Sequence, residues 1–243
     1  MIAPHELPGW IIHEDAQLLV VNKPGDVVCH PSKAGPWSSL VGALREYTGL
    51  PTVHLIFRLD RETSGVVVIA KDAKMASRLQ VAMQQRKVGK AYRAILMGEL
   101  ITPVTVNQPL GDDVTSPVFI KTAVVSEEFG RSAVTHFVPL SHAGGFTFAR
   151  VVTETGRKHQ IRAHAQWLGH SLVGDKIYGP DANLYLDFID HGWSAALAGK
   201  LLLPRQALHC AEIDLRPAGL EHVISAPLAG DMREFCAARG LSS

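Results

Sequence analysis

The sequence predicts an α+β fold, and three observations support that prediction. Short β-like runs outnumber helical segments, the two types do not alternate regularly, and glycine or proline turns divide the strands. Regular strand–helix alternation would instead indicate a doubly wound parallel sheet. Strands separated by tight turns are typical of antiparallel or mixed sheets. We therefore expect helices interspersed among the strands of a mixed, mostly antiparallel sheet.

The amino-terminal half contains two apolar strands and two amphipathic helices. The run 18–22 closes in a Lys-Pro-Gly turn, and the run 65–70 is apolar throughout, as in a strand buried on both faces. Helical spacing marks 38–47, followed by Gly49 as a carboxyl-terminal cap. Asp72 is placed to cap a second helix that runs to about residue 86.

The remainder of the chain continues with strands and helices in irregular order. The predicted strands cover 91–97, 119–125, 133–140, 146–153 and 207–215, and the predicted helices cover 158–168 and 228–238. The segment 179–200 is the least regular, so we expect it to form an excursion from the core. Since no repeat or linker composition is visible, we expect one domain over 1–243.

Length and composition place the chain among globular proteins. Its 243 residues are 47% apolar and 19% charged, which excludes a disordered chain. The longest strictly apolar runs are far shorter than the roughly 20 residues of a membrane helix. The amino terminus also lacks a secretory signal pattern. Because Cys29, Cys210 and Cys236 are widely spaced and odd in number, they indicate reduced, buried thiols. We expect a cytoplasmic protein without membrane contact.

Positive charge is concentrated in two segments, although the formal net charge is only +1. Between Arg58 and Arg93, nine basic residues face three acidic ones. A second group of basic residues follows later in the chain: Arg150, Arg157, Lys158 and Arg162. Basic clusters on a near-neutral protein are typical of a surface that binds a polyanion. Solvated helix faces explain the same pattern equally well, so charge alone leaves both interpretations open.

Several motifs for cofactor or metal chemistry are missing from the sequence. It contains no Walker-type phosphate loop, no glycine motif for dinucleotides and no serine-hydrolase elbow. The twelve histidines show no H-E-x-x-H pattern, and the cysteines form no C-x-x-C. His159 and His164 are five residues apart and would face different sides of a helix. We therefore predict neither a catalytic metal nor a nucleotide cofactor.

Asp60 stands out among the carboxylates by its position. It lies in FRLDRETSG at 57–65, directly before the apolar strand and between Arg58 and Arg61. Neighbouring cations favour the ionised form, which suits a nucleophile better than a general acid. An ordinary surface loop held by ion pairs fits the same pattern. Glu62 leaves a glycosidase-type pair of carboxylates open, although no sugar-stacking aromatic residues accompany it.

The segment around Asp60 resembles the H-R-L-D-x-x-T-S-G signature of the RluA-type family of RNA pseudouridine synthases. Other segments resemble family motifs in the same order along the chain. These are VNKPG at 21–25, HPS at 30–32, KAYRA at 90–94, GRKHQIRAH at 156–164, GDKIYG at 174–179, LHCA at 208–211 and APL at 226–228. So many ordered motifs make a chance similarity implausible.

The resemblance implies a fold and an activity. The expected fold is the pseudouridine synthase fold, a central, mostly antiparallel mixed sheet in two halves with flanking helices and an RNA-binding cleft. The expected activity is isomerisation of specific uridines in a stem-loop of rRNA or tRNA, without cofactor or metal. Many relatives carry a small amino-terminal RNA-binding module, whereas the motifs here begin by about residue 18. We therefore expect no separate module, a single catalytic domain over 1–243, and a monomer.

The resemblance also implies which residues carry the chemistry. Asp60 matches the catalytic aspartate, which either attacks the anomeric carbon or assists removal of a proton from the ribose. Tyr92 matches the tyrosine that stacks on the target base, and stacking of this kind contributes about 1–3 kcal/mol per base. Arg162 matches the basic residue that pairs with the aspartate. The alternatives are a core tyrosine and an arginine that caps its helix.

Three residues are expected to bind RNA. Arg58 matches the family arginine that enters the RNA and helps to displace the target nucleotide, while Lys158 and His159 lie in the second basic segment. One residue departs from the family pattern, since Phe57 stands where the family usually has histidine. Because that position supports the loop, we expect activity to persist. The alternative is a catalytically weak or inactive relative that only binds RNA.

Overall fold

The computed structural model describes residues 1–30 and 35–243, and within these ranges the chain forms twelve strands and six α-helices. The strands are β1 (Ile11–Glu14), β2 (Leu18–Lys23), β3 (His54–Leu55), β4 (Ser64–Ala70), β5 (Gly89–Met97), β6 (Val104–Asn107), β7 (Leu110–Asp112), β8 (Thr122–Val124), β9 (Val134–Ala143), β10 (Phe146–Thr153), β11 (Leu208–Asp214) and β12 (Val223–Ser225). The helices are α1 (Leu40–Thr48), α2 (Ala73–Gln84), α3 (Gln160–Trp167), α4 (Asn183–His191), α5 (Ala195–Leu201) and α6 (Gly230–Arg239). The order is irregular, which confirms the predicted α+β class.

The chain divides into two compact units, each built from two stretches of sequence. The first unit comprises Met1–Lys90 and His209–Ala229, and the second comprises Ala91–Leu208 and Gly230–Ser243. Two of the divisions fall inside strands β5 and β11. For that reason no loop or linker composition marks them in the sequence. The single catalytic domain over 1–243 stays a prediction.

The strands of the first unit form a mixed sheet. They follow the order β1, β2, β4 and β11, with β3 paired to β4 and β12 paired to β11. The pairs are antiparallel except β4–β11, which is parallel. Every residue of β4 is buried, as its unbroken apolar run predicts. The loop that carries Asp60 therefore ends at a fully buried strand.

The helices of the first unit begin at side-chain caps. Helix α1 begins two residues later than predicted, because Ser39 is its N-cap and accepts a hydrogen bond from the Gly42 N–H at 3.2 Å. Gly49 ends α1 in the left-handed conformation, as predicted, with φ of 67°. Helix α2 begins after Asp72, whose carboxylate accepts the Met75 N–H at 2.8 Å, which confirms the predicted cap.

The strands of the second unit are antiparallel. β5, β10, β9 and β6 pair in that order, and β7 and β8 form a separate two-stranded sheet. Strand β10 has the predicted bounds. The predicted strand over 119–125 is too long, because β8 covers only Thr122–Val124 and Phe119 lies before it with 95% of its surface exposed. Apart from that strand, the predicted sheet of this unit forms with shifts of a few residues.

Helix α3 begins later than predicted. His159 adopts a left-handed conformation with φ of 54°, so the helix begins at Gln160 and not at residue 158. Lys158 and His159 therefore lie in the turn before α3. Non-glycine residues with positive φ are uncommon, and this one sits inside the predicted RNA-binding segment.

The predicted irregularity of segment 179–200 is wrong, because most of the segment is helical, whereas its excursion from the core stays a prediction. It contains α4 and most of α5, which Gly192 separates with φ of 75°. The two helices share a small apolar cluster of Leu184, Leu197, Leu201 and Phe188. Gly192 interrupts the apolar pattern between the two helices, so the segment shows no continuous helical period.

Two features predicted from composition can be compared with the structure. Cys29, Cys210 and Cys236 are free and buried, as predicted. In the described part of the chain, none of the helices combines the length and the apolar character needed to cross a membrane.

One sequence motif falls partly outside the described residues. Pro31 and Ser32, which belong to the HPS segment, lie outside them.

Candidate active site

The FRLDRETSG segment forms the loop between β3 and the first residues of β4. Asp60 is partly buried, and its backbone carbonyl accepts a hydrogen bond from the Thr63 N–H at 3.1 Å. The side chains of Leu59 and Thr63 are buried on either side of it. Asp60 is thus partly exposed in a turn whose flanking residues, Leu59 and Thr63, are buried in the first unit.

A fully buried lysine holds the backbone of this loop. The Lys23 ammonium donates hydrogen bonds to three carbonyls, those of Pro24 at 2.9 Å, Val27 at 2.9 Å and Arg61 at 3.0 Å. Buried charges require hydrogen-bonding partners, and these carbonyls supply them. The VNKPG segment of the sequence contains Lys23 but does not predict this role. The available signal was a lysine directly after a buried strand, followed by Pro-Gly.

The Ser-Gly end of the segment is fixed by strand β11. Gly65 has φ of 110°, and a Cβ there would lie 2.2 Å from the Cys210 carbonyl oxygen, so only glycine fits. Next to it, the buried Ser64 hydroxyl lies 2.9 Å from Nδ1 of His209. Close backbone approach and a buried polar contact therefore join the start of β4 to β11 within the first unit.

The two arginines beside Asp60 are exposed. His30 is exposed, but the limited desolvation of its ring and the nearby charge of Arg58 lower its pKa. Arg61 donates from Nε to the Asp26 carbonyl at 3.4 Å. Exposure suits the predicted RNA contact of Arg58, because a guanidinium that meets phosphates or bases must be accessible.

Phe57 replaces the family histidine with an apolar ring beside a lysine. Phe57 is 8% exposed, and the Lys90 ammonium lies 5.5 Å from its ring centroid. At that distance the cation and the ring face attract each other. Burial lowers the pKa of Lys90, and the interaction with Cys210 opposes that shift. Phe57 thus packs against Lys90 within the first unit.

Tyr92 lies on strand β5 in the second unit. It is 8% exposed and is in register with Val151 of β10. The ring is therefore mostly enclosed by protein. Tyr92 is the fourth residue of β5 and belongs to the segment that matches the K-x-Y motif. Base stacking by Tyr92 stays a prediction.

Arg162 forms a buried, bidentate ion pair in the second unit. Its Nε lies 2.6 Å from Oδ2 of Asp175, and its Nη2 lies 2.8 Å from Oδ1. Asp175 also accepts the backbone N–H groups of Ile177 and Tyr178, both at 3.0 Å. Burial opposes ionisation of Asp175, but the Arg162 charge and these hydrogen bonds outweigh it and hold the pKa of Asp175 below its ordinary value.

Tyr178 completes this network. The Arg162 guanidinium lies 4.9 Å from the Tyr178 ring centroid, and the Tyr178 oxygen accepts the Thr122 N–H at 2.8 Å. Burial raises the pKa of Tyr178, so its hydroxyl stays protonated. The GDKIYG segment of the sequence contains Asp175 and Tyr178 but predicts no role for them. The available signal was the three-residue spacing of Asp175 and Tyr178 in a motif that follows α3, the helix that carries Arg162.

The predicted RNA-binding residues of the second unit differ in exposure. Lys158 is exposed, whereas His159 is partly buried with Nδ1 3.0 Å from the Tyr178 hydroxyl. Arg162 was counted with the second basic segment, but it is 5% exposed and adds no surface charge there. Arg150 and Arg157 remain exposed.

Comparison with known proteins places this arrangement in a family. The family model of RNA pseudouridylate synthase matches residues 17–167, a range that includes Asp60, Tyr92 and Arg162. Ribosomal large subunit pseudouridine synthase D of Escherichia coli O6:H1 is 34% identical over 239 residues, which are 96% of this chain and 71% of that protein. The protein of the same name from Vibrio vulnificus is 34% identical over 237 residues, which are 95% of this chain and 70% of that protein.

Solved structures agree with this assignment. Human RNA pseudouridylate synthase domain containing 1 matches with a TM-score of 0.70 and 25% identity, over 89% of this chain and 82% of that one. Human RNA pseudouridylate synthase domain containing 4 matches with a TM-score of 0.78 and 24% identity, over 99% and 96% of the two chains. These matches confirm the predicted fold. The chain therefore belongs to the RluA-type family of RNA pseudouridine synthases, which are isomerases that act on RNA.

Proposed function

We propose that the chain converts specific uridines of large-subunit ribosomal RNA to pseudouridine, with Asp60 as the catalytic carboxylate. The observation that carries the proposal is the setting of Asp60, a partly exposed carboxylate in a turn whose backbone is anchored by buried Lys23. The ribosomal substrate is inferred from the names of the relatives that align with 95–96% of the chain. A cytoplasmic monomer is part of the same proposal.

The reaction exchanges one glycosidic bond for another. The bond between N1 of uracil and C1′ of ribose breaks, a bond between C5 and C1′ forms, C5 loses its proton to solvent, and N1 gains one. An ionised Asp60 begins this sequence either by attacking C1′ or by taking a proton from the ribose. Both routes need an anion next to the sugar, so an amide cannot replace the carboxylate.

Tyr92 and Arg162 have supporting roles in this proposal. Tyr92 stacks on the uracil while it is detached and turned, and Arg162 pairs with the catalytic aspartate. The bidentate contact to Asp175 and the stacking on Tyr178 support the Arg162 role, because they fix the plane of its guanidinium. A planar guanidinium fixed in this way is pre-organised for a further hydrogen bond.

RNA binding is assigned to Arg58, Lys158 and His159. Exposure of Arg58 and Lys158 supports this, and the contact between His159 and Tyr178 fixes the turn that carries Lys158. A uridine within a stem-loop must leave its stack before a carboxylate can reach its sugar, at a cost of a few kcal/mol. Arg58 occupies the space that the uridine leaves.

Tritium release tests the proposal directly. RNA transcripts of the large subunit that carry tritium at C5 of uridine are mixed with excess enzyme, and tritium released to water is counted over time. We expect release by the wild-type protein, none by Asp60→Asn, and near wild-type release by Glu62→Gln, the matched carboxylate of the same loop. Release by Asp60→Asn at the wild-type rate would contradict the role of Asp60.

The RNA target is tested separately. Pseudouridines are mapped in ribosomal and transfer RNA from cells with and without the gene. We expect loss of one or a few sites in large-subunit RNA only. Sites lost only from transfer RNA would reject the ribosomal substrate and leave the chemistry of Asp60 intact.

A second candidate function is RNA binding without catalysis, and Phe57 is the observation that favours it. The ring beside Lys90 cannot make the hydrogen bonds of the family histidine. Phe57→His distinguishes the two functions. If the wild-type protein releases no tritium and Phe57→His does, the chain is an RNA-binding relative; we expect both proteins to release it.

A further inference from the structure

Three possible metal ligands meet in the first unit, outside the Asp60 loop. His13 lies on β1, Asp15 follows that strand, and His222 precedes β12. One ligand atom from each lies within 4.8 Å of the others. Over residues 1–30 and 35–243, no other group of three His, Cys, Asp or Glu side chains has this geometry. The sequence shows no metal motif here because the ligands come from opposite ends of the chain.

The distances suit a tetrahedral ion. Nε2 of His13 lies 3.0 Å from Oδ2 of Asp15, and Nε2 of His222 lies 3.9 Å from the same oxygen. Zinc bonds of about 2.0–2.1 Å at tetrahedral angles separate two ligand atoms by about 3.3 Å. These two distances lie on either side of that value, and the third pair of ligand atoms lies within 4.8 Å. The imidazole rings are tilted by 56° with centroids 4.8 Å apart, so they do not stack on each other.

Hydrogen bonds already hold the backbone near the proposed ligands and one carboxylate oxygen of Asp15. Oδ1 of Asp15 accepts the N–H groups of Gln17 and Leu18, both at 2.7 Å, which leaves Oδ2 toward the histidines. His13 is held by pairing of β1 with β2, and the His222 carbonyl accepts the Leu215 N–H at 2.9 Å. Ligands held by such contacts need little rearrangement when an ion binds.

We propose that His13, Asp15 and His222 bind one Zn²⁺, with water as the fourth ligand. Two imidazoles and a carboxylate are suitable ligands for zinc. The ion would join the amino-terminal strand β1 to the segment before β12, and the free energy of binding would add to the stability of the first unit. The three ligands lie outside the loop that carries Asp60, so the ion takes no part in the chemistry proposed for Asp60.

Zinc binding is measured on full-length protein without a histidine tag, after removal of metal by a chelator and dialysis. We expect calorimetry to show saturable binding of one Zn²⁺ per chain and Tm to rise as Zn²⁺ is added. Co²⁺ in place of Zn²⁺ should give the intense visible absorption of a tetrahedral site. If the three side chains form only a hydrogen-bonded cluster, Zn²⁺ changes neither heat nor Tm, and the proposal fails.

Variants identify the ligands. Loss of a contact outside the ligand set already weakens metal binding about 10–100-fold, so His13→Ala and His222→Ala should each weaken it at least about 100-fold. Asp15→Asn keeps an acceptor for the turn and removes the anion, and it should weaken binding as well. His222→Gln serves if the alanine variant does not fold.

The matched control is His136→Ala. His136 and Glu154 form a histidine–carboxylate pair at 2.8 Å, and no third His, Cys, Asp or Glu of the described residues joins them, so the loss of His136 should leave zinc binding unchanged. Zinc binding that survives in both His13→Ala and His222→Ala would overturn the proposal. So would an equal loss in His136→Ala, because that result would indicate nonspecific binding to surface histidines.

Discussion

The Asp60 loop of the first unit and the Arg162 network of the second unit use charge in opposite ways. In the loop, Arg58 and Arg61 are exposed and the anchoring contacts go to backbone carbonyls. In the network, both charges of the Arg162–Asp175 pair are buried and bonded to each other. Exposed ion pairs contribute about 0–1 kcal/mol, whereas breaking a buried pair costs about 3–5 kcal/mol. Basic residues that look alike in the sequence therefore have two roles. Arg58 and Arg61 are accessible to solvent, whereas Arg162 fixes the geometry of the buried network.

The largest expected effect is on activity in the loop. Asp60→Asn should lower the single-turnover rate at least about 10³-fold, because the catalytic anion is lost. Since Asp60 is only partly buried, Tm should change by no more than about 2 °C. Tritium release and thermal melting of the same preparation give both values. A large fall in Tm would show that Asp60, like the Arg162–Asp175 pair, is needed for stability, and it would contradict the contrast between the loop and the network.

The next largest effect is on stability in the network. Asp175→Ala leaves the Arg162 charge buried without its carboxylate, which should cost about 3–5 kcal/mol. For a chain of this size that corresponds to a fall in Tm of roughly 6–20 °C. The control is Asp214→Ala, which removes an exposed bidentate pair with Arg216 and should leave Tm nearly unchanged. Equal shifts in the two variants would remove the contrast between buried and exposed pairs.

Variants of Tyr92 test whether a mostly buried ring also stacks on a base of the RNA. Tyr92→Phe keeps the stacking face and loses the hydroxyl, so RNA binding should persist while the rate falls up to about 100-fold. Tyr92→Ala should also weaken RNA binding, by roughly 1–3 kcal/mol. Binding and single-turnover assays separate these effects. If both variants match the wild type in both assays, Tyr92 is only a core residue.

Acid should weaken the network in a predictable direction. The pKa of Asp175 is lowered in the folded protein, so its contribution to stability is complete above the ordinary carboxylate pKa of about 3.9 and is lost as pH falls through the lower folded value. Asp175→Asn resembles the protonated wild type. The difference in unfolding free energy between the two should therefore be constant near neutral pH and shrink below about pH 4. Denaturant unfolding across this range measures it, and a difference that grows in acid would contradict the assignment.

Arg58 should give the smallest effect on the protein and one that depends on the RNA. Because Arg58 is exposed, Arg58→Ala should leave Tm within about 1 °C of the wild type. The rate should fall more on a stem-loop than on an unstructured strand, where little unstacking is needed. Arg58→Lys should recover only part of the loss, since it restores charge without the planar group. Equal losses on both RNAs together with a lower Tm would mean that Arg58 only holds the loop.

The elements predicted well from sequence have local causes. Strand β4 follows from one unbroken apolar run, and the Asp72 and Gly49 caps follow from residues next to their helices. Features missed in the sequence depend on distant contacts. The three bonds of Lys23 reach as far as Arg61, and the Arg162–Asp175 pair joins a helix to a later loop. Residue type and spacing mark Lys23 and Asp175 as candidates, but they do not identify the partners of these residues.

Resemblance to a family predicted the individual residues of the candidate site. The FRLDRETSG segment indicated Asp60, and its place before a buried strand followed from the apolar run. The burial of Arg162 did not follow, because a basic residue in a basic segment is typical of a surface. Only the position of Asp175 in the fold distinguishes this arginine from exposed Arg157.

The junction of Gly65 and Ser64 with β11 has a consequence for synthesis of the chain. Ser64 and His209 are 145 residues apart, so the loop that carries Asp60 emerges from the ribosome long before its partner strand exists. At about 5–20 residues per second, the wait lasts roughly 7–30 s. During that interval the second unit is made almost entirely, while the end of the Asp60 loop still lacks one of its supports. The turn that carries Asp60 is thus completed near the end of translation, after most of the protein has been made.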